Sequence, residues 1–243
     1  MTRPLFLAPL GEALPPAGAP YRLDGPEGRH AAIVRRIRPG EELLIGDGRG
    51  RGLVCVTVAA DKQGLDLEVV QHVNVDLPPL RIIAVQGLAK GERSELAVEM
   101  MTEVGVDGIR PWQAARSIVK WQGERGERSR AKWQNTAREA AKQSRRLWVP
   151  VVGEILTIRT LTALVAQADL TLVLHEEGVR SLAEADLPTA GTVVVIIGPE
   201  GGISPEELAA VEAEGGQVVT LGDGVLRTST AGVVAVGHLR LRS

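Results

Sequence analysis

A strand that runs directly into a glycine-rich loop and then into a helix is the feature that most restricts how this chain can fold. Residues 192–197 form an unbroken β-branched apolar run, which is typical of a strand buried on both faces of a parallel sheet. The loop Gly198-Pro-Glu-Gly-Gly follows at once. Ser204, Pro205 and Glu207 then carry the start signal of a helix, with a capping box between Ser204 and Glu207. This order predicts a ligand-binding turn.

The composition of the loop argues against a polyphosphate ligand. A helix N-terminus favours anions, but this loop carries Glu200 and lacks the Gly-Lys-Ser/Thr end of a P-loop. It also departs from the Gly-x-Gly-x-x-Gly pattern of dinucleotide sites. Because a carboxylate would repel phosphates, the loop favours a flat heterocycle that is read by main-chain groups and attached to a neutral or cationic moiety.

Strands and helices alternate along the chain after residue 79. Strands are expected at 80–86, 108–112, 170–174, 192–197 and 217–221. Helices are expected at 93–104, within about 127–146, near 161–168 and from about Ser229. The alternation predicts an α/β fold with a parallel sheet and right-handed crossovers.

The first 77 residues have a different, mostly β pattern. Candidate strands at 42–45, 53–59 and 65–70 are separated by turn signals, and one helix is expected at about 27–37. The segment 74–79 contains a Pro pair and resembles a linker. A small β domain is therefore expected before the α/β domain.

Composition excludes several classes of site. Cys55 is the single cysteine among 243 residues, so neither an intrachain disulfide nor a cysteine metal cluster is possible, and a reducing cytoplasm is expected. His30, His72 and His238 have no partners at metal-ligand spacing, so no metal is expected. The sequence contains no stretch of about 18 apolar residues, so no membrane span is expected.

Charge is distributed unevenly. The net charge is −2, yet residues 110–146 hold 11 Lys/Arg against 3 Asp/Glu, with Trp112, Trp121, Trp133 and Trp148 in or next to that segment. Basic side chains suit RNA phosphates, and aromatic rings suit base stacking. Two simpler explanations stay open, a solvated helix face for the charges and core packing for the tryptophans.

At the glycine loop and at Leu226-Arg-Thr the chain resembles the RsmE-type 16S ribosomal RNA uridine-N3 methyltransferases of the SPOUT class. The resemblance covers most of the chain and includes five further stretches in the same order. These are Arg38-Pro-Gly-Glu with Gly46-Asp-Gly, Lys90-Gly-Glu-Arg, Thr102-Glu-Val-Gly-Val and Arg138-Glu-Ala-Ala-Lys-Gln-Ser. Asp223-Gly224 and Ser229 depart from the common pattern of the family, so no role of a Glu at position 229 carries over.

The resemblance implies a two-domain organisation. Residues 1–75 would form a small PUA-like RNA-binding β-barrel, and residues 76–243 a parallel-sheet SPOUT methyltransferase domain with a C-terminal trefoil knot within about 170–243. It implies a homodimer, S-adenosylmethionine (SAM) as methyl donor, and 16S ribosomal RNA or the small ribosomal subunit as partner. Methylation of a ribose 2′-hydroxyl or another base, and a non-catalytic ribosome-assembly role, are the alternatives.

The resemblance also implies roles for individual residues. Arg227 would stabilise the negative charge that develops on uridine, although it could instead cap a helix or pair with Glu200. Glu200 would be a base or a partner of the sulfonium, and His175 is a further, weaker candidate base. The donor pocket would be lined by Leu174, His175, Ile197, Gly198, Pro199, Gly201, Gly202, Leu221, Gly222, Val225, Leu226, Thr228 and Ala231. RNA would be bound by Arg35, Arg36, Arg38, Arg116, Arg138, Lys142, Gln143, Arg145 and Arg146.

Overall fold

The computed structural model describes residues 3–243, which form two compact units. The first unit comprises residues 3–77 together with Ala141–Val149. The second comprises Pro78–Ala140 and Pro150–Ser243. The segment Ala141–Val149 joins the first unit although it lies far along the chain, a tertiary assignment with no signal in the local sequence pattern.

The first unit is built on a five-stranded mixed sheet in the order β1-β3-β4-β5-β2. Its strands are β1 (Leu5–Leu7), β2 (Pro20–Leu23), β3 (Glu42–Gly46), β4 (Arg51–Ala60) and β5 (Leu65–Asn74). Register shifts within the long β4–β5 hairpin, typical of β-bulges, bend this sheet around an apolar core that includes Phe6, Ile45 and Cys55. The helix expected at 27–37 is shorter, with α1 (Gly25–Arg29) followed by a π-helical turn (His30–Val34).

The second unit is a three-layer α/β structure. Its seven strands are all parallel in the order β10-β12-β9-β11-β6-β7-β8. The strands are β6 (Leu80–Gly87), β7 (Gly108–Trp112), β8 (Val151–Val152), β9 (Leu170–Leu174), β10 (Arg180–Ser181), β11 (Gly191–Ile197) and β12 (Gln217–Thr220). The helices are α2 (Arg93–Glu103), α3 (Gly123–Gln143), α4 (Ile158–Val165), α5 (Pro205–Ala213) and α6 (Thr228–Arg242), and a 3-10 turn spans Leu182–Glu184. The last three residues of α3 belong to the first unit.

The central position of β11 in the sheet explains why its sequence is apolar without interruption. Val193, Val195 and Ile197 pack into the core that contains α2 and α6, whereas Val194 and Ile196 pack into the core beneath α4 and α5. Alternate side chains of one strand therefore enter two different cores. The predicted parallel α/β sheet is confirmed, and each expected strand and helix of this unit is present within a few residues.

Four strands of the described chain were not predicted from the sequence. β1, β8 and β10 have two or three residues each, and β2 has four and begins at Pro20. Such short segments lack the periodicity on which a strand prediction depends.

The path of the last helix is decided by tertiary contacts. β12 pairs with β9 and lies three positions away from β6 in the sheet order. The helix that follows it, α6, nevertheless packs against β6, β11 and α2. The chain therefore returns from β12 across the ends of β9 and β11 before α6 begins.

Candidate active site

A cavity of about 670 Å³ lies at the carboxyl edge of β9, β11 and β12. The loops after these three strands line it, in agreement with the rule that ligands of open α/β sheets bind beyond the carboxyl ends of the strands. All thirteen expected donor-pocket residues line this one cavity, as do Glu200, Arg227 and Arg116. Gly224, inside the expected loop 221–226, also lines it, and sequence reasoning missed seven lining residues: Arg93, Glu176, Glu177, Ile203, Pro205, Leu208 and Thr220. Most of them adjoin predicted residues in the chain, so extending each loop by a few positions would have found them.

Two glycines are required by close packing beneath and beside the glycine loop. A Cβ at Gly87, the last residue of β6, would lie 2.5 Å from Pro199 N. A Cβ at Gly201 would lie 2.8 Å from Arg116 O. Packing of the Arg116 backbone against the glycine loop therefore explains the missing side chain at Gly201.

Thr228, the first residue of α6, fastens that helix to the glycine loop. Its buried hydroxyl donates to Gly198 O at 2.7 Å and accepts from Gln86 Nε2 at 2.9 Å. Gln86 is fully buried at the end of β6. This chain of hydrogen bonds joins three non-consecutive segments at the floor of the cavity.

The capping box at the start of α5 is present as predicted. Ser204 Oγ accepts from Glu207 N at 3.2 Å, and Glu207 Oε2 accepts from Ser204 N at 3.1 Å. The second oxygen, Glu207 Oε1, accepts from Ala115 N at 2.7 Å. The buried Glu207 carboxylate thus also fixes the turn that carries Arg116, a function that its capping position does not reveal.

Arg227 precedes α6 with an exposed side chain at the cavity. Its carbonyl accepts from Thr230 N and Ala231 N, so the residue caps the helix through its backbone. Within residues 3–243 the structure gives its guanidinium no hydrogen-bond or ion-pair partner. The alternative of an Arg227–Glu200 pair is not present.

Glu200 contacts the segment after β6 and not Arg227. Its Oε1 accepts from Lys90 N at 3.1 Å and lies 3.8 Å from Arg93 Nη1. The Lys90-Gly-Glu-Arg stretch and the glycine loop are therefore partners in space, although about 110 residues separate them in the chain.

His175 also has a local partner. Its Nδ1 accepts from Glu177 N at 3.2 Å, which places the ring in the turn after β9. This hydrogen bond gives the ring a structural role in the turn, while His175 still lines the cavity.

The cavity is electrostatically two-sided. Glu176 and Glu177 follow β9. Arg93 follows β6, and Arg116 follows β7. Since the sheet order is β12-β9-β11-β6-β7, Glu176 and Glu177 enter from one side of β11 and the two arginines from the other, while Glu200 of the glycine loop contacts Arg93 on the arginine side.

The expected RNA-binding residues divide by exposure. Arg35, Arg36 and Arg38 are exposed, as are Gln143 and Arg145. Arg138 and Arg146 are half-buried and have partners. The expectation that Lys142 presents its charge on the surface is wrong, because Lys142 is 8% exposed and its Nζ lies 2.9 Å from Glu27 Oε1. The ammonium balances a carboxylate within the first unit, so Lys142 is not available to a phosphate.

Trp112, Trp121 and Trp133 follow the core-packing alternative, whereas Trp148 is half-buried outside the core clusters. Trp112 and Trp133 are 0% and 1% exposed. Trp121 packs edge-on against Trp133 with ring centroids 4.9 Å apart, and Trp148 Nε1 donates to Val75 O at 2.7 Å. All four rings are thus used within the protein.

Residues 3–243 contain neither a membrane-spanning helix nor a cluster of metal-ligating side chains. No helix there is both long and apolar enough to cross a bilayer. No three His, Cys, Asp or Glu side chains in the same range come together as metal ligands.

Comparisons with known proteins agree with this geometry. Residues 76–240 match a family model described as an RNA methyltransferase domain, and residues 23–70 match one described as an RNA methyltransferase PUA domain. Ribosomal RNA small subunit methyltransferase E of Mycobacterium bovis is 45% identical over 93% of this chain and 88% of its own length. The Bacillus subtilis protein of that name is 28% identical over 90% of this chain and 89% of its own length.

Solved structures extend the likeness to three dimensions. A Neisseria gonorrhoeae ribosomal RNA small subunit methyltransferase E bound to S-adenosyl methionine superposes with a TM-score of 0.86 and 28% identity, over 99% of this chain and 98% of the other. A Legionella pneumophila methyltransferase in complex with SAM gives a TM-score of 0.86 and 27% identity, over 100% and 98%. The chain therefore belongs to the ribosomal RNA small subunit methyltransferase E family, with a PUA domain and an RNA methyltransferase domain of the SPOUT class.

Proposed function

We propose that this protein transfers a methyl group from SAM to N3 of one uridine in the 16S ribosomal RNA of the small subunit. SAM-dependent methylation of ribosomal RNA follows from the family. The choice of uridine N3 rests on the RsmE-type motifs. The observation that carries the proposal is the convergence, in one cavity, of the glycine loop, the Leu226-Arg-Thr loop and the turn after β9.

The walls of the cavity suit this donor. A Cβ at Gly222 or Gly224 would meet no protein atom within 4 Å, so the backbone there is open to a ligand. Glu176 and Glu177 suit the net positive charge of a molecule that carries a sulfonium and an ammonium. When bound, SAM supplies an electrophilic methyl group. The protein has to hold the acceptor in line with that methyl and exclude other nucleophiles.

Arg227 is the residue proposed to act on the acceptor. Uridine N3 bears a proton that must leave to solvent before N3 attacks the methyl group and the S–methyl bond of the donor breaks, and the resulting negative charge on the base spreads onto O2 and O4. The Arg227 guanidinium lines the cavity and has no partner within residues 3–243, so its donors are available to these oxygens. A preorganised donor of this kind lowers the barrier because it interacts more strongly with the anion than with neutral uridine.

Glu200 is proposed to act beside the donor. Its contacts with Lys90 N and Arg93 hold the carboxylate on the β6 side of the cavity. This favours its role as a charge partner in the pocket over that of a freely placed base. His175 is proposed only as a structural residue of the turn after β9.

One experiment tests the function directly. Small subunits from cells that lack this protein are incubated with SAM and the purified protein, and the RNA is digested and analysed by mass spectrometry. We expect a single N3-methyluridine. Methyl groups on a ribose or another base would replace the proposal with that reaction, and absence of methylation despite SAM binding would favour an assembly role.

The proposal extends to the location and the oligomeric state of the protein. The protein is expected to act in the cytoplasm as a homodimer, as the family resemblance implies. Exposed apolar side chains at Val234 and Leu241 on α6 offer surface for a second copy. Light scattering that gives the mass of a single 25.8 kDa chain at micromolar concentration would contradict the dimer.

A further inference from the structure

We propose that Arg93 and Arg116 together form a binding site for one RNA backbone phosphate beside the acceptor nucleotide. This inference rests on the proposed function, because it assumes that RNA enters the cavity. It gives the Lys90-Gly-Glu-Arg stretch and Arg116 a common role that the methyl-transfer chemistry does not use.

The two guanidiniums approach consecutive residues of the glycine loop. Arg93 Nη1 lies 3.8 Å from Glu200 Oε1, and Arg116 Nη1 lies 3.5 Å from Gly201 O. Both distances are long for hydrogen bonds, so neither guanidinium is saturated by these contacts. Both side chains line the cavity, and that of Arg93 is 47% exposed. Each retains N–H donors for a further anion.

The distribution of charged side chains around the cavity indicates which anion binds to the two arginines. The donor carries a net positive charge and suits the side of Glu176 and Glu177. The acceptor strand is a polyanion and suits the opposite side, where Arg93 and Arg116 enter after β6 and β7. Arginine forks bind phosphate oxygens in pairs, which adds orientation as well as charge.

Nearby carboxylates do not cancel this positive side. Glu95 is engaged by Lys132 at 2.9 Å, and Lys132 also interacts with Glu92. The pKa of Glu206 is lowered, chiefly by its own backbone N–H and the Ser204 side chain, with Arg116 as a minor contributor. Glu200 is the one carboxylate that contacts Arg93 within the described chain, at the long distance given above.

The turn that carries Arg116 is held in place from two directions. Glu207 Oε1 accepts from Ala115 N, and Gln113 Oε1 accepts from Trp121 N at 2.9 Å. The bare Cα of Gly201 lets the Arg116 backbone pack directly against the glycine loop. These contacts fix the backbone of Arg116 at the edge of the cavity, so less loop entropy is lost when the residue binds a ligand.

The test compares Arg93→Gln, Arg116→Gln and the double variant with Arg81→Gln. Arg81 is an exposed arginine near the opposite end of β6 and serves as the matched control. SAM affinity is measured by calorimetry. Single-turnover methylation of unmodified small subunits at saturating SAM is measured over a range of subunit and salt concentrations. Wild-type protein is measured first, and its failure to bind SAM or to methylate would refute the proposed function itself.

We expect each single variant to raise the half-saturating subunit concentration at least about fivefold, with SAM affinity within about twofold of wild type. The salt dependence of RNA binding should become shallower by about 0.7 units per lost phosphate contact. Arg116→Lys should restore part of the affinity, because charge is kept and the fork is lost. Weaker SAM binding with an unchanged half-saturating subunit concentration would mean that the arginines hold the carboxylate of SAM, and this result would overturn the proposal. Behaviour like that of Arg81→Gln would also overturn it.

Discussion

Arg227 carries the sharpest prediction for a single residue. Arg227→Ala should keep the fold and most SAM affinity, since the side chain has no partner within residues 3–243 and only its backbone caps α6. Single-turnover methylation at neutral pH should fall on the order of 100-fold. The loss should shrink as pH rises, because more uridine ionises without help. Arg227→Lys should restore activity only in part.

The pH series distinguishes charge stabilisation from positioning. A wild-type rate for Arg227→Ala at neutral pH would remove this residue from the mechanism. A loss that is constant with pH would instead indicate that Arg227 positions the RNA.

Cys55 gives a prediction about reactivity and stability. Burial in the core of the first unit raises the pKa of this thiol to about 11. A thiol reagent at pH 8 should therefore leave the native protein unmodified and label it fully in denaturant. Because the folded thiol holds its proton more tightly than the unfolded one, whose usual pKa is 9.0, Cys55 should lower stability as pH rises from about 9 to about 11. Rapid labelling of native protein would contradict the burial.

At the scale of elements, α5 depends on the buried Glu207. Glu207→Ala removes acceptors from Ser204 N and Ala115 N, so both the helix start and the Arg116 turn lose a contact. We expect a loss of about 2 kcal/mol in the free energy of unfolding, measured with urea. Glu206→Ala, an exposed change in the same helical turn, should cost at most about 0.5 kcal/mol. Equal effects of the two variants would mean that the Ala115 contact contributes little.

Sequence reasoning was most accurate for elements with strong local signals. The capping box of α5 and the strands β7 and β9 lie at the predicted positions, since caps and apolar runs act over a few residues. The helix at 27–37 was overestimated, because the chain leaves α-geometry at His30 and Arg36 has a φ of +52°. No local pattern foretold this change.

At the scale of the whole molecule, exposed basic side chains are expected to set RNA affinity. Charge reversal at Arg35 and Arg145, which are exposed in the first unit, should weaken RNA binding and make its salt dependence shallower by about 0.7 units per lost phosphate contact. Arg159→Glu, an exposed change in the acidic C-terminal part of the chain, is the control. SAM affinity should not change in either protein. An unaltered salt dependence would favour a merely solvated surface.

Lys142 shows why charge counting alone selects the wrong residues for such a test. It belongs to the same basic run as Arg145, but it is buried against Glu27. Removing it should leave that carboxylate without its ammonium and cost about 3 kcal/mol of stability, measured with urea. Normal stability of Lys142→Ala would contradict the buried pair.

The sequence by itself determined the parallel α/β class and the glycine loop with its capped helix, and its family resemblance pointed to most of the residues that line the cavity. These depend on local preferences and on motifs that follow one another along the chain. Only the tertiary structure decided that Lys142 is buried, that Glu200 contacts Lys90 and Arg93, and that Arg93 and Arg116 meet the same loop. Burial and ion pairing depend on which segments the fold brings together, and contacts across about 85 to 115 residues leave no periodic trace in the chain.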